Sequence, residues 1–240
     1  MRRILILQTG SCDPAVRGRF GDFPDWFARR LAPRASLTVH RPYETPLPPP
    51  ARFDGVLVTG SPWSVVDPAA EASWMGEAAV WLLDVARLRP VLGICFGHQL
   101  LARALGAPVE RHPQGREAGT VEVRLTEAGR RDPLFTGCPE RLLVQETHED
   151  HVPIVPRGAT LLAENDFSPV QAYAVGPSIR CVQFHPEMDA DRSRAYGETR
   201  RERYDAQCPG GWAAVMGSIR ETPEASRVLD NWAKHYVGAP

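Results

Sequence analysis

The sequence has almost no net charge: 28 Lys and Arg oppose 29 Asp and Glu, a formal charge of −1. That balance leaves no electrostatic footprint for a nucleic acid or an anionic membrane. The run Arg200-Arg201-Glu202-Arg203 is interrupted by an acid and reads as a solvated helix face rather than a basic patch. No apolar run approaches the roughly 20 residues that a membrane-spanning helix needs. The start, Met1-Arg2-Arg3-Ile4-Leu5-Ile6-Leu7, is too short for a secretory leader. It leaves through Gln8-Thr9-Gly10 and reads as a first strand. Cysteine is sparse: Cys12, Cys95, Cys138, Cys181 and Cys208 are an odd five, widely spaced, with no Cys-x-x-Cys pair. Neither a disulfide framework nor a zinc site is indicated, and a reducing cytoplasm is the expected compartment. No metal and no cofactor are expected. Internal repeats and a Walker-type phosphate loop are also missing, so this chain is not expected to activate an acceptor with a nucleotide.

What is present is an alternation. Short apolar runs at Ile4–Leu7, Leu37–His40, Gly55–Val58 and Val91–Gly93 interleave with helical stretches at Asp22–Leu31, Ala69–Arg87 and Phe96–Leu105. This order predicts an α/β fold, a mostly parallel open sheet with helices on both faces. A strand-rich segment follows, at Thr120–Leu125, Arg141–Gln145, Ala159–Ala163, Val170–Val175 and Ile179–Phe184. A helical tail comes last. Ala190–Ala206 reads as one charged helix, Cys208-Pro209-Gly210-Gly211 as a break, and Thr222-Pro223-Glu224 as the start of a final helix. Val228, Leu229, Trp232 and Tyr236 share the apolar face of that helix, which is expected to pack on the sheet, with a lid or subunit contact as the alternative. Pro46 to Pro50 is a connection within the domain. Residues 1–240 are expected to form a single domain, with a core at 1–188 and a helical extension at 189–240.

Two motifs carry chemistry. Gly93-Ile94-Cys95-Phe96-Gly97 follows an apolar run and opens a helix, the thiol counterpart of a Gly-x-Ser-x-Gly nucleophile elbow. Its glycines leave room for a tight strand-to-helix turn. Cys95 at a helix N-terminus would gain from the dipole as a thiolate, and the N–H of Phe96 could hold an oxyanion. Taken alone, Cys95 reads better as a small buried core residue, and the glycine pattern reverses that only together with the second motif. The second motif, Cys181-Val182-Gln183-Phe184-His185-Pro186-Glu187, ends a strand in a histidine with a carboxylate two residues on. If the chain turns at Pro186, Glu187 can orient His185 as the base for Cys95. Alone, it also reads as a structural His-Pro turn. A nucleophile, a base and an orienting acid are the parts needed for acyl transfer through a thioester.

At these residues the chain resembles the class I, triad-type glutamine amidotransferases, above all the glutaminase domain of GMP synthase and its stand-alone relatives. Thr59-Gly60-Ser61-Pro62 is similar to the family's oxyanion loop, Arg116-Glu117-Ala118-Gly119 to its Arg-Glu-aromatic-Gly segment, and Thr147-His148-Glu149-Asp150 to its Ser-His-Gly-Asp segment. Ala118 and Glu149 depart from that pattern, and His98 often differs in the GMP synthase branch. The resemblance runs from Ile4 to about Met188 and implies the flavodoxin-like fold of that family. It implies Cys95, His185 and Glu187 as catalytic residues, with backbone N–H groups of Gly60 and Phe96 as the oxyanion site. It also implies Gln99, Thr147, His148, Glu149 and Asp150 as holders of the substrate's α-groups. The implied substrate is glutamine or another γ-glutamyl compound, with a separate synthetase as a partner to take ammonia. One alternative is a γ-glutamyl hydrolase acting alone, and the other is a catalytically idle regulatory subunit. Cys12-Asp13-Pro14 and Arg17 to Phe23 either line the pocket or form a loop in which Asp22 caps the next helix.

Overall fold

The computed structural model describes residues 1–67 and 73–238. In its first half the chain forms β1 (Arg2–Leu7), α1 (Pro14–Phe20), α2 (Phe23–Leu31), β2 (Ala35–His40), β3 (Gly55–Val58), α3 (Trp74–Ala86), β4 (Val91–Ile94) and α4 (Phe96–Ala104). The second half adds β5 (Glu110–Arg111), β6 (Glu117–Leu125), α5 (Glu127–Arg131), β7 (Arg141–His148), β8 (Asp150–His151), β9 (Thr160–Glu164), β10 (Ala172–Val175) and β11 (Ile179–Val182). The tail holds α6 (Ala190–Glu198), α7 (Arg201–Gln207), α8 (Gly211–Ser218) and α9 (Arg227–Trp232).

The nine-stranded sheet runs β2-β1-β3-β4-β11-β10-β9-β6-β7. Pairs from β2 to β11 are parallel, and pairs from β11 to β7 are antiparallel. The strand-rich middle is therefore the antiparallel half of the same sheet. Only β5 and β8 pair apart from it. Buried on both faces, β3 and β4 are continuous apolar runs, as internal parallel strands must be. In β1, Ile4 and Ile6 join one core with Phe27 and Leu31 of α2 and Leu229 and Trp232 of α9. Leu5 and Leu7 join the other, with Leu82 and Val85 of α3 and Leu100 and Leu101 of α4. The period-two alternation of one strand thus builds both layers. Among the described residues no helix is long and apolar enough to cross a membrane.

Several local readings change. The helix expected over Ala69–Arg87 is seen from Trp74, and its first residues, through residue 72, lie outside the described residues. The stretch after β1 caps the next helix, as the second of its two readings expects, but it also carries a helix of its own. Pro14–Phe20 is helical, and Asp22 then caps α2 in a reciprocal box with Asp25. The single helix expected over Ala190–Ala206 is two, broken at Thr199 and Arg200, and Gly211–Ser218 forms a helix where only a break was expected. The final helix starts at Arg227 because residues 223–226 form a turn. Its apolar face packs on the sheet as expected: Val228, Leu229 and Trp232 are buried in the core, and Tyr236 packs against it.

Candidate active site

Cys95 sits at the carboxyl end of β4 with φ 50° and ψ −100°. Among the described residues it is the one non-glycine with positive φ. Such a conformation costs on the order of 1–3 kcal/mol and persists only where its surroundings enforce it. The two elbow glycines are part of that enforcement. A Cβ at Gly93 would lie 2.7 Å from the Gly97 carbonyl oxygen, and one at Gly97 would lie 2.8 Å from Cβ and O of Val58. Close packing of α4 on β3 and β4 requires both. The Cys95 N–H donates to Val182 O at 2.9 Å, tying the elbow to β11.

His185 follows β11 at the same sheet edge. The antiparallel half curls round so that the far strand β7 meets it, His185 N–H donating to Gln145 O at 2.9 Å. Its Nδ1 lies 2.7 Å from Glu187 Oε1, with both side chains buried. An ionised carboxylate can only accept, so Nδ1 carries the proton of that bond. Nε2 is buried and has no oxygen or nitrogen partner. Burial opposes a charge on His185, but Glu187 and then Cys95 overcome it and hold the imidazole well above its usual range. A Cβ added to Gly60 would stand 2.8 Å from His185 Cε1 and 3.7 Å from Cys95 Cβ, so the three residues converge.

The Gly60 loop is held by threonines. Thr9 Oγ1 donates to the Thr59 carbonyl at 3.0 Å, and Thr9 and Thr59 hydroxyls reach the Gly60 carbonyl at 3.0 and 2.8 Å. In a planar trans peptide the Gly60 N–H points opposite the Thr59 carbonyl, away from Thr9.

A cavity of about 310 Å³ opens above Cys95, lined among others by Ser64, Gln99, Thr147, Glu149, Asp150 and Tyr196. The expected substrate-binding residues are thus gathered at one place, but several of their polar atoms are occupied. Gln99 Nε2 donates to Asp150 O at 2.7 Å and Gln183 Oε1 at 3.1 Å, so only its Oε1 is left. His148 uses both ring nitrogens, on the Asp150 carbonyl and on Glu117 Oε2, each at 2.9 Å. Thr147 Oγ1 pairs with the Tyr204 hydroxyl at 2.7 Å. Glu149 is clamped by Arg111 and Arg116, each at 2.9 Å. Asp150 accepts from Ser64 Oγ, and burial raises its carboxyl above the ordinary range.

Reading the sequence missed two features. Arg200 and Arg203 line the cavity with Cys95, although residues 201–203 are exposed, as a solvated helix face requires. Arg200 is the N-cap residue of α7 and Arg203 lies in its first turn. Glu146 lies behind the site, its carboxylate oxygens buried and without hydrogen-bond partners. Burial, and then the Glu117 carboxylate, push it well above the usual carboxyl range. Ligand atoms of Glu117, Glu146 and His148 lie within 4.8 Å of one another. Glu117 already accepts from His148, Asn165 and Gln171, which describes a hydrogen-bonded network rather than vacant metal ligands.

The family profile described as glutamine amidotransferase class-I matches residues 22–196. GMP synthase [glutamine-hydrolyzing] from Aeropyrum pernix is 36% identical over 169 residues, 70% of this chain and 29% of that protein. Gamma-glutamyl peptidase 3 from Arabidopsis thaliana is 30% identical over 144 residues, 58% of this chain and 57% of that one. One subunit of the glutamine-hydrolyzing GMP synthase from Saccharolobus solfataricus is 36% identical over 138 residues, 57% of this chain and 69% of that one. The match thus spans under a third of the Aeropyrum protein's length and a little over half of the Arabidopsis one's. The crystal structure of a glutamine amidotransferase from Thermotoga maritima superposes with a TM-score of 0.75 at 19% identity, covering 99% of both chains, which establishes the shared fold.

Proposed function

The chain belongs to the class I glutamine amidotransferases, and on that premise we propose that it is a cysteine amidohydrolase cutting the γ-amide of glutamine or of another γ-glutamyl compound. The observation that carries this reading is the strained Cys95 beside the buried His185–Glu187 pair. Sγ of Cys95 adds to the γ-carbonyl carbon, and its proton passes to Nε2 of His185. The oxyanion is met by the N–H groups of Phe96 and Gly60, one such donor being typically worth ~10²–10³ in rate. The C–N bond breaks as His185 returns the proton to the leaving nitrogen. Water, deprotonated by His185, then cleaves the γ-glutamyl thioester and releases glutamate. Glu187 keeps the imidazole in the competent orientation. Gln99 and residues 147–150 frame the α-group site, with the Asp150 carboxylate facing the α-ammonium and His148 acting as a support.

Two forms of this activity differ in the leaving group. Ammonia passed to a separate synthetase is the amidotransferase form, favoured by the likeness to one subunit of a GMP synthase. Release of an amine with no partner is the γ-glutamyl hydrolase form, favoured by the likeness to a gamma-glutamyl peptidase. Assay of the purified chain alone on glutamine and a panel of γ-glutamyl amides separates them, because a partner-dependent glutaminase stays nearly silent.

The nucleophile is tested by labelling. Burial pushes Cys12 and Cys181 up to about 12 and Cys138 and Cys208 up to about 11, so these thiols stay protonated at neutral pH. A glutamine-derived diazo-ketone should modify Cys95, read by peptide mass spectrometry. Modification elsewhere with Cys95 untouched would sink the assignment. In a burst assay His185→Ala should abolish thioester formation, whereas Glu187→Gln should leave a slow residual rate. Near-normal bursts in both variants would point to a different base.

A further inference from the structure

The charges around the cavity exceed what one glutamyl group can use. Four arginines line it: Arg111, Arg116, Arg200 and Arg203. Arg111 and Arg116 share Glu149, which leaves one net positive charge on that trio. Arg116 is also tied to Gln207 and the Thr147 carbonyl, so it is fixed in place. One surplus charge matches one α-carboxylate, and Asp150 matches one α-ammonium. Arg200 and Arg203 are left over. Arg200 lies 3.3 Å from the ring centroid of Tyr196 and, among the described residues, bonds only to the Tyr196 carbonyl and Thr199 Oγ1. Arg203 has no hydrogen-bond or ion-pair partner among the described residues. Among the described residues neither forms an ion pair with a carboxylate.

These two arginines also stand between two cavities. A second cavity of about 490 Å³ adjoins the first, and Arg200 and Arg203 line both. Of the acids on this outer rim, Asp13 caps α1, Glu198 pairs with Arg19, and Glu202 projects to solvent. A leaving group longer than ammonia that extends from Cys95 toward the second cavity would meet the two guanidinium groups. Ammonia and ammonium gain nothing from cations there, whereas an anionic leaving group gains charge-assisted, fork-shaped hydrogen bonds.

We propose that the preferred substrate is a γ-glutamyl amide whose leaving amine bears a carboxylate, an amino acid or a short peptide, and that Arg200 and Arg203 recognise that carboxylate. The proposal rests on the amidohydrolase reading above and identifies its leaving group. The bond broken is the γ-carbonyl C–N bond, and the amino acid departs with the proton supplied by His185.

The test compares γ-glutamylglycine with γ-glutamyl methylamide, which differ in the leaving carboxylate, and includes glutamine. The wild-type protein should favour γ-glutamylglycine over the methylamide in kcat/KM by about tenfold or more. Arg200 is half-buried and Arg203 exposed, so that preference should fall as ionic strength rises. The double variant Arg200→Gln/Arg203→Gln should bring the ratio of the two kcat/KM values close to one, and the corresponding double lysine variant should recover part of it. The inference is overturned if the wild type shows no preference. It is also overturned if the glutamine variant lowers all three substrates equally, because the arginines would then hold the α-carboxylate. Loss confined to ammonia transfer in the presence of a synthetase would make the patch a docking surface instead, and would overturn it too. If Cys95-dependent turnover is seen without discrimination, only this inference fails. If no γ-glutamyl compound acylates Cys95, the amidohydrolase reading fails with it.

Discussion

The space around His185 is filled to within less than a methyl group. Gly60 has ordinary backbone angles but no room for a side chain, since its Cβ would fall 2.8 Å from the imidazole. Gly60→Ala must therefore push the ring away from Cys95. Displacements near 1 Å can cost about 10²-fold in rate, and single-turnover kinetics should show a loss of that order with the melting temperature little changed. Full activity in this variant would mean that His185 is not the base. The Glu187 carboxylate sets a second property. His185 is raised, so its charged form contributes stability that is fully present below the ordinary value of 6.5 and is lost as pH rises through the folded value. Removing the neighbouring anion in Glu187→Gln lowers that folded value. The acidic limb of the kcat/KM profile should accordingly move to lower pH, because His185 must be unprotonated to accept the Cys95 proton, and an unmoved limb would detach Glu187 from His185.

Strand β7 shows how one element serves two sites. Gln145 and Thr147 point to one side, where they bond the Arg220 carbonyl and the Tyr204 hydroxyl. Glu146 and His148 point to the other, into the buried network with Glu117. Burial raises Glu146 well above the ordinary value of 4.5 in the fold, whereas the unfolded chain releases its proton above that value. Stability conferred by the neutral acid is present below that value and is lost as pH rises toward the raised folded value, at up to about 1.4 kcal/mol per pH unit. Glu146→Gln removes this linkage. In urea melts the variant should gain on the wild type at pH 8 relative to pH 5. An equal difference at both values would show that Glu146 is ionised in the fold.

At the scale of the whole molecule, α9 carries the tail back to the sheet. Trp232 is fully buried, and a Cβ at Gly55 would meet its ring at 3.2 Å, which places it at the amino end of β3. Cys95 and Gly60 lie at the opposite edge, so this anchor is remote from the cavity. Trp232→Ala should cost about 3–5 kcal/mol, a large part of the roughly 5–15 kcal/mol that stabilises a typical domain. A lower denaturant midpoint with an unchanged slope is expected, together with unaltered activity per folded molecule at low temperature. A coincident loss of activity would tie the tail to the site more directly.

The parallel half of the fold was legible because its information is local. Continuous apolar runs at Gly55–Val58 and Val91–Ile94, punctuated by glycine, suffice to specify buried strands and the turn that exposes Cys95. Thr147 to Asp150 could likewise be located beside the site, since they follow a strand into the sheet edge that binds ligands. Their partners could not be read. His148 is consumed by Glu117, 31 residues away, and Gln99 by the Asp150 carbonyl, 51 residues away. That the Arg200 and Arg203 face also lines the Cys95 cavity could not be read, because the break between α6 and α7 that sets their position has no local signal. Periodicity along the chain sets the layers, and glycine sets the turn at Cys95. Which polar atoms are spent on one another, which remain for a ligand, and which charges stand beside Cys95 depend on groups brought together by packing across the sheet, and no local stretch of sequence carries them.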